Sequence, residues 1–178
     1  MAKIMKWAAG IFFLLTAVSI GLYVFCWKWV LPFAITFGTC FYHFAMRLLV
    51  GYGLNHIMKN KADYHKTWYQ LRPLEAKLYI LLHVKKWKGS MPSYDPSLFD
   101  PKLHSWEEIA QAMCQAELVH EIIVILSFLP LLAAIPFGAF PVFFMTSLLA
   151  AAYDLSFMIM QRYNRPRILK LISKKARV

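Results

Sequence analysis

The sequence predicts an all-α integral membrane protein with four transmembrane helices in two hairpins and one interfacial cytoplasmic helix. Of the 178 residues, 60% are hydrophobic and 16% are charged, with a mean hydropathy of +0.49. Soluble domains have about 45–50% apolar and about 25% charged residues. Four apolar segments are also long enough to cross a hydrocarbon core of ~30 Å, which takes roughly 20 helical residues. No linker-like stretch divides the chain, so we interpret residues 1–178 as a single membrane domain.

The four predicted spans occupy residues 7–26, 30–52, 121–137 and 140–160. A short aromatic connection with one cation, Lys28, joins the first pair, and an uncharged connection with two prolines joins the second. Because both connections are tight, each pair of spans is expected to form a helical hairpin. The first apolar run lacks an Ala-x-Ala cleavage site, which favours a retained anchor over a cleaved signal.

Basic residues are distributed asymmetrically around these spans. Of the 20 Lys and Arg residues, Lys28 alone lies on the side of the tight connections, Arg47 lies within a span, and the remaining 18 lie opposite. Cytoplasmic loops carry the excess of Lys and Arg. We therefore predict a multi-pass protein of the cell membrane with both termini and segment 55–117 in the cytoplasm. The formal net charge of +11 is expected to bind anionic membrane lipids, and no nucleic acid partner is expected.

Segment 55–117 contains two further predicted helices. Residues 71–84 are too few to span a membrane, but they place apolar side chains at 74, 78, 81 and 82 on one face, which is typical of an interfacial helix. Farther along, Ser105 is followed three residues later by Glu108, a capping box that opens a helix able to run into the third span.

Ionisable side chains at membrane depth are costly, so each is a functional candidate. Six of them fall in the cytoplasmic half of the bilayer or at its surface and could converge on one cleft: His43, Arg47, Glu117, His120, Glu121 and Asp154. The alternative interpretation is structural, with Arg47 and Asp154 pairing between helices and His43 bonding to a neighbour.

Glu117, His120 and Glu121 share one helical face because their spacing is i, i+3 and i+4. A carboxylate beside an imidazole orients it and raises its basicity, as a general base needs in order to deprotonate a hydroxyl. His120 and Glu117 are therefore the predicted catalytic residues. Glu-x-x-His is also half of a di-iron site, but no second copy is present, so no metal is predicted. A plain interfacial salt bridge remains an alternative.

A basic string directly after the fourth span predicts a substrate site. Its guanidinium groups offer bidentate donors to phosphate or carboxylate, and a shorter basic stretch at 85–88 adds to it. Both stretches could instead be ordinary cytoplasmic anchors. Nucleophilic serine motifs and phosphate-binding glycine loops are absent, so direct transfer with histidine as base is favoured. The predicted substrate-binding residues are Lys86, Trp87, Arg162, Asn164, Arg165 and Arg167.

Three strings resemble the glycosyl-4,4'-diaponeurosporenoate acyltransferase family. They are residues 84–88 (Val-Lys-Lys-Trp-Lys), 116–120 (Ala-Glu-Leu-Val-His) and 161–167 (Gln-Arg-Tyr-Asn-Arg-Pro-Arg), within a resemblance covering about 79–171. The family is implied to esterify the glucose of a glycosylated C30 carotenoid with a fatty acyl chain. This chain differs in its longer, apolar amino-terminal half and in Glu121, where an aromatic residue is expected.

The resulting hypothesis is O-acyl transfer from a cytosolic thioester, acyl-CoA or an acyl carrier, to a sugar hydroxyl of a glycosylated isoprenoid or another glycolipid. No cofactor is expected, and the partners are membrane lipids, the lipid-linked acceptor and the acyl donor, with a homodimer as a further option. The alternative is a non-enzymatic lipid-binding subunit or scaffold. A third option is a small membrane methyltransferase, which would bind adenosyl-methionine.

Overall fold

The computed structural model describes residues 2–25 and 27–176. These residues form seven α-helices joined by turns and short 3-10 segments, and no strand occurs among them. The helices are α1 (Ala2–Val24), α2 (Leu31–Met58), α3 (Pro73–Leu81), α4 (Val84–Trp87), α5 (Trp106–Leu126), α6 (Ala134–Phe137) and α7 (Phe140–Lys175). The prediction of an all-α protein is confirmed.

Four helical segments are long and apolar enough to cross a membrane: Ala2–Val24, Lys28–Met58, Trp106–Phe137 and Phe140–Lys175. Each corresponds to one predicted span, although residue 26, the predicted end of the first span, lies outside the described residues. All four segments are longer than the predicted spans, the last three by the most, because their backbone hydrogen bonding continues into polar sequence. The polar extensions of α5 and α7 carry most of the predicted site.

The chain divides into two compact units. Unit 1 comprises residues 1–51 and 123–152, and unit 2 comprises residues 52–122 and 153–178. Two of the predicted site residues, His43 and Arg47, lie in unit 1, and all the others lie in unit 2.

An apolar groove of about 530 Å³ lies within unit 1. Three of its polar side chains are turned to backbone partners: the hydroxyls of Thr16 and Thr39 donate to carbonyls one turn earlier, and the Tyr42 hydroxyl donates to the Leu126 carbonyl at 2.8 Å. Because these hydroxyls are satisfied, the groove presents an almost wholly apolar wall.

Arg47 is held by backbone oxygens of unit 1. Its Nη1 donates to the His43 carbonyl at 2.8 Å, and its Nη2 donates to the Ala150 carbonyl at 3.1 Å. Helical carbonyls that accept from a guanidinium stabilise its charge in an apolar setting.

Helix α3 of unit 2 begins with Pro73 in the first turn and with Glu75 accepting from the Arg72 backbone N–H at 2.9 Å. Tyr79 points inward and packs in a core cluster with Val84 and Ile159. The predicted apolar face points away from this cluster, so that the side chains of Leu74, Leu78, Leu81 and Leu82 are exposed.

The predicted capping box at the start of α5 is present. The Ser105 hydroxyl accepts from the Glu108 backbone N–H at 3.2 Å, and the Glu108 carboxylate accepts from the Ser105 backbone N–H at 2.8 Å. These bonds satisfy donors that have no partner inside the helix.

We expect Ser105→Ala to lower the free energy of unfolding by about 1 kcal/mol, because the helix loses its capping acceptor. Ser105→Asn keeps an acceptor at this position and should stay near wild type. Thermal unfolding in detergent, followed by circular dichroism, measures both. Equal melting temperatures for the two variants would show that the capping bond contributes nothing.

Candidate functional site

A fully buried carboxylate, Glu117, lies on α5 in unit 2. Its Oε1 is 3.3 Å from Arg162 Nε, and its Oε2 is in an ion pair with Arg165 Nη2. Only 1% of Arg165 is exposed, and Arg162 is buried as well. Ionised groups are stable inside a protein only when paired, so the three charges depend on one another.

Arg162 extends this cluster to two other segments. Its Nη1 is 3.1 Å from Glu75 Oε1 on α3, and its Nη2 donates to the Trp68 backbone carbonyl in the 3-10 turn Thr67–Tyr69. With Glu75 included, two carboxylates face two guanidiniums and the charges balance. We call these four residues, Glu75, Glu117, Arg162 and Arg165, the buried ion cluster.

Arg165 has two further neighbours. Its Nη1 donates to Cys114 Sγ at 3.3 Å, and its guanidinium carbon lies 5.2 Å from the centre of the Tyr69 ring, a cation–π contact. Burial raises the pKa of the Tyr69 phenol, so this ring is neutral beside the cation. Arg165 is therefore enclosed by a carboxylate, a sulfur and an aromatic face.

His120 contacts a different carboxylate, Asp154. The His120 Nδ1 lies 2.9 Å from Asp154 Oδ1, and Asp154 is 1% exposed. The imidazole also stacks on the Phe157 ring, with 4.9 Å between ring centres and 11° between planes. An ionised carboxylate only accepts hydrogen bonds, so we assign the proton to Nδ1 and leave Nε2 as the basic nitrogen.

This geometry corrects the predicted contact between Glu117 and His120. The structure pairs Glu117 with Arg162 and Arg165, and it pairs His120 with Asp154. His120 follows Glu117 on α5, whereas its partner Asp154 precedes the arginines on α7. These two stretches therefore run antiparallel. Each side chain meets an opposite charge or a hydrogen-bond partner on the facing helix, which outweighs the weak i, i+3 contact along α5.

A second group of side chains involves Tyr163 and Asn164, which are half-buried on α7, and Arg167, which is exposed. Arg167 Nη2 donates to the Tyr163 hydroxyl at 3.1 Å, and Lys88 Nζ donates to Asn164 Oδ1. Lys88 Nζ and Arg167 Cζ lie 5.1 and 4.8 Å from the centre of the Tyr163 ring. Burial lowers the pKa of the Lys88 ammonium, and nearby Arg167 and Lys85 lower it further.

The family model for glycosyl-4,4'-diaponeurosporenoate acyltransferases matches residues 65–174, more than half of the chain. The chain belongs to this family. No curated protein and no solved structure matches it. The matched region of this acyltransferase family member contains the buried ion cluster, the His120–Asp154 pair and the group of side chains around Tyr163. The predicted resemblance is confirmed. The family is one of acyltransferases, which supports the prediction of an enzyme of that class.

Three other predicted site residues of this family member bond neither to the buried ion cluster nor to the His120–Asp154 pair in the described contacts. Lys86 is exposed on α4, and Trp87 Nε1 donates to the Leu82 carbonyl at 3.0 Å. Glu121 accepts from Trp68 Nε1 at 3.0 Å. Among the described residues, no group of three metal-binding side chains is close enough to hold a metal ion.

Sequence reasoning missed Glu75, Tyr69 and Lys88 as site residues. Glu75 had a detectable signal, because a glutamate three residues after Arg72 and next to a Pro-initiated helix is typical of a capped start. Its pairing with Arg162 had none, because 87 positions separate the two. Lys88 had a signal as part of the basic stretch 85–88, whereas Tyr69 had none that distinguishes it from a surface residue.

Removing one charge from the buried ion cluster while leaving its partner should strongly destabilise the protein. We expect Glu117→Gln to lower the free energy of unfolding by about 3–5 kcal/mol, because Arg165 is left buried without its counter-charge. The double variant Glu117→Gln/Arg165→Met leaves Arg162 with Glu75 and should recover much of the loss. Thermal unfolding in detergent measures the series, and a double variant no more stable than Glu117→Gln would contradict this charge-balance argument.

Proposed function

We propose that this protein transfers a fatty acyl chain from a thioester donor to a sugar hydroxyl of a glycosylated isoprenoid or another glycolipid. The donor is acyl-CoA or an acyl carrier thioester, and no cofactor takes part. The observation that carries the proposal is the pair of His120 and buried Asp154, within the region matched by an acyltransferase family.

His120 has the geometry of a general base. Asp154 accepts from Nδ1–H, which fixes the imidazole orientation and stabilises the imidazolium that forms when Nε2 takes the proton of the sugar hydroxyl. The alkoxide oxygen then attacks the thioester carbonyl, so that a C–O bond forms and the C–S bond breaks. The proton on Nε2 passes to the departing thiolate, and the imidazole is neutral again.

Glu117 takes a positioning role in this proposal in place of the catalytic role predicted from sequence. Its ion pairs hold α5 against α7, and His120 lies three residues farther along α5. Arg162 and Arg165 act in the same way, because both are buried against carboxylates. Arg167 and Asn164 remain available for substrate.

We further propose a multi-pass protein of the cell membrane, with its spans in two hairpins and both termini in the cytoplasm. The four apolar helices and the asymmetry of basic residues support this arrangement. In the same proposal α3 lies on the cytoplasmic surface of the membrane, with Leu74, Leu78 and Leu81 directed into the lipid. Cytosolic acyl donors would then reach the site directly.

Removal of the base should abolish most of the transfer. We expect His120→Ala to reduce the rate by about 10²–10⁴-fold. Asp154→Asn should reduce it strongly, because the negative charge that stabilises the imidazolium is lost and the amide N–H can hold the imidazole in the wrong tautomer. Lipid mass spectrometry of membranes with and without each variant detects the acyl-sized gain in mass on the acceptor. His65→Ala is the matched control, since His65 is an exposed imidazole of the same region and should retain activity.

A lipid-binding scaffold is the second candidate function, and the buried ion cluster favours it because such a cluster serves stability without any chemistry. The two functions differ in the same experiment. If no lipid gains mass, and an intact lipid or partner protein co-purifies with both wild type and His120→Ala, the scaffold replaces the enzyme.

The membrane orientation has its own test. In a variant without native cysteines, we expect a single cysteine at Ser93 or Ser173 to react with a membrane-impermeant maleimide only after the cells are permeabilised. A cysteine at Trp29, on the side of the tight connections, should react in intact cells. Labelling of position 93 in intact cells would contradict the proposed orientation.

A further inference from the structure

Helical periodicity divides the basic string after the fourth span into two faces. Arg162 and Arg165, three positions apart, are buried and paired with carboxylates. Tyr163 and Arg167, four positions apart, share another face, and Arg167 is exposed. The charges of the first face are neutralised inside the protein, whereas the second face carries positive charge toward solvent.

Two cations of this second face gather around one ring. Lys88 and Arg167 both contact the Tyr163 ring, and Arg167 also bonds to its hydroxyl. Among the residues that the structure describes, neither Lys88 nor Arg167 is within ion-pair distance of a carboxylate. Each side chain is held instead by a hydrogen bond to a neutral partner, Asn164 for Lys88 and Tyr163 for Arg167. Holding two like charges close together without a counter-ion is unfavourable, and a bound anion reverses that cost.

The remaining hydrogen-bond donors suit an oxyanion. An ammonium has three donors and Lys88 uses one on Asn164, while a guanidinium has five and Arg167 uses one on Tyr163. The result combines a point charge with a planar fork that fits two oxygens of a tetrahedral anion. Because both cations are already fixed by Tyr163 and Asn164, little side-chain entropy is lost when an anion binds.

We propose that Lys88 and Arg167, supported by Tyr163 and Asn164, form a phosphate-binding site. Under the proposed function, on which this assignment of the ligand rests, the phosphate belongs to the thioester donor. Coenzyme A and the phosphopantetheine arm of an acyl carrier both bear phosphate, whereas the acyl acceptor is a neutral sugar. The same chemistry would also accept the phosphate of an anionic lipid headgroup.

The test uses the full-length protein in phosphatidylcholine nanodiscs, with free coenzyme A and pantetheine, which has no phosphate, as probes. We expect wild type to bind coenzyme A and not pantetheine. Lys88→Gln and Arg167→Gln should each weaken binding of coenzyme A by about tenfold or more, since a charge-assisted hydrogen bond is lost. Arg167→Lys should restore the charge without restoring full affinity, because the fork is absent.

Lys170→Gln is the matched control. It removes the same charge from an exposed position one turn farther along α7, and it should bind coenzyme A as wild type does. Unchanged melting temperatures establish that Lys88→Gln and Arg167→Gln are folded. If neither variant weakens binding of coenzyme A, or of phosphatidylglycerol in the arm described next, more than Lys170→Gln does, the site is overturned.

A parallel arm identifies the source of the phosphate. Nanodiscs that contain phosphatidylglycerol replace coenzyme A as the probe, and bound lipid is counted by native mass spectrometry. Loss of phosphatidylglycerol binding in both variants with coenzyme A binding unchanged supports the site and assigns it to a headgroup. Neither arm depends on turnover, so loss of the phosphate site and loss of transfer activity are separate results.

Discussion

The ion pairs of Glu117 are the interaction on which the rest of unit 2 depends. A carboxylate without exposed surface is stable in its charged form only if cations lie against it, and Arg162 and Arg165 of α7 supply them. This requirement fixes which face of α7 is turned toward α5. Through Glu75 it also fixes α3, because Arg162 is shared between the two carboxylates.

The register set by these pairs determines the chemistry. With Glu117 opposite Arg162 and Arg165, the antiparallel course of α5 and α7 leaves His120 opposite Asp154. A rotation of α7 by one residue, about 100°, would separate both contacts at once. The proposed base and the ion cluster are therefore two results of one helix–helix register, and a substitution at Glu117 is expected to affect His120 without touching it.

Sequence patterns predicted what lies within one helix or one turn. Four features could be predicted from short stretches of sequence: the apolar helices, the capping box at Ser105, the leucine face of α3 and the family. Partners on different helices were not: Asp154 was recognised as a costly ionisable residue, but its contact with His120 spans 34 positions. The separation of Arg162 and Arg165 from Arg167 could have been predicted from the sequence. Positions 162 and 165 share one helical face, and positions 163 and 167 share another.

The separation of these arginines into two faces indicates that basic residues next to a span do more than set the orientation of the protein in the membrane. The positive-inside rule counts Lys and Arg without regard to helical face, so it treats Arg165 and Arg167 alike. Arg165 is enclosed by Glu117, Cys114 and Tyr69, and its charge contributes little to the surface. Arg167 keeps its charge at the surface beside Lys88. Neutralised arginines hold the helices in register, and the cations without carboxylate partners remain available to bind an anion.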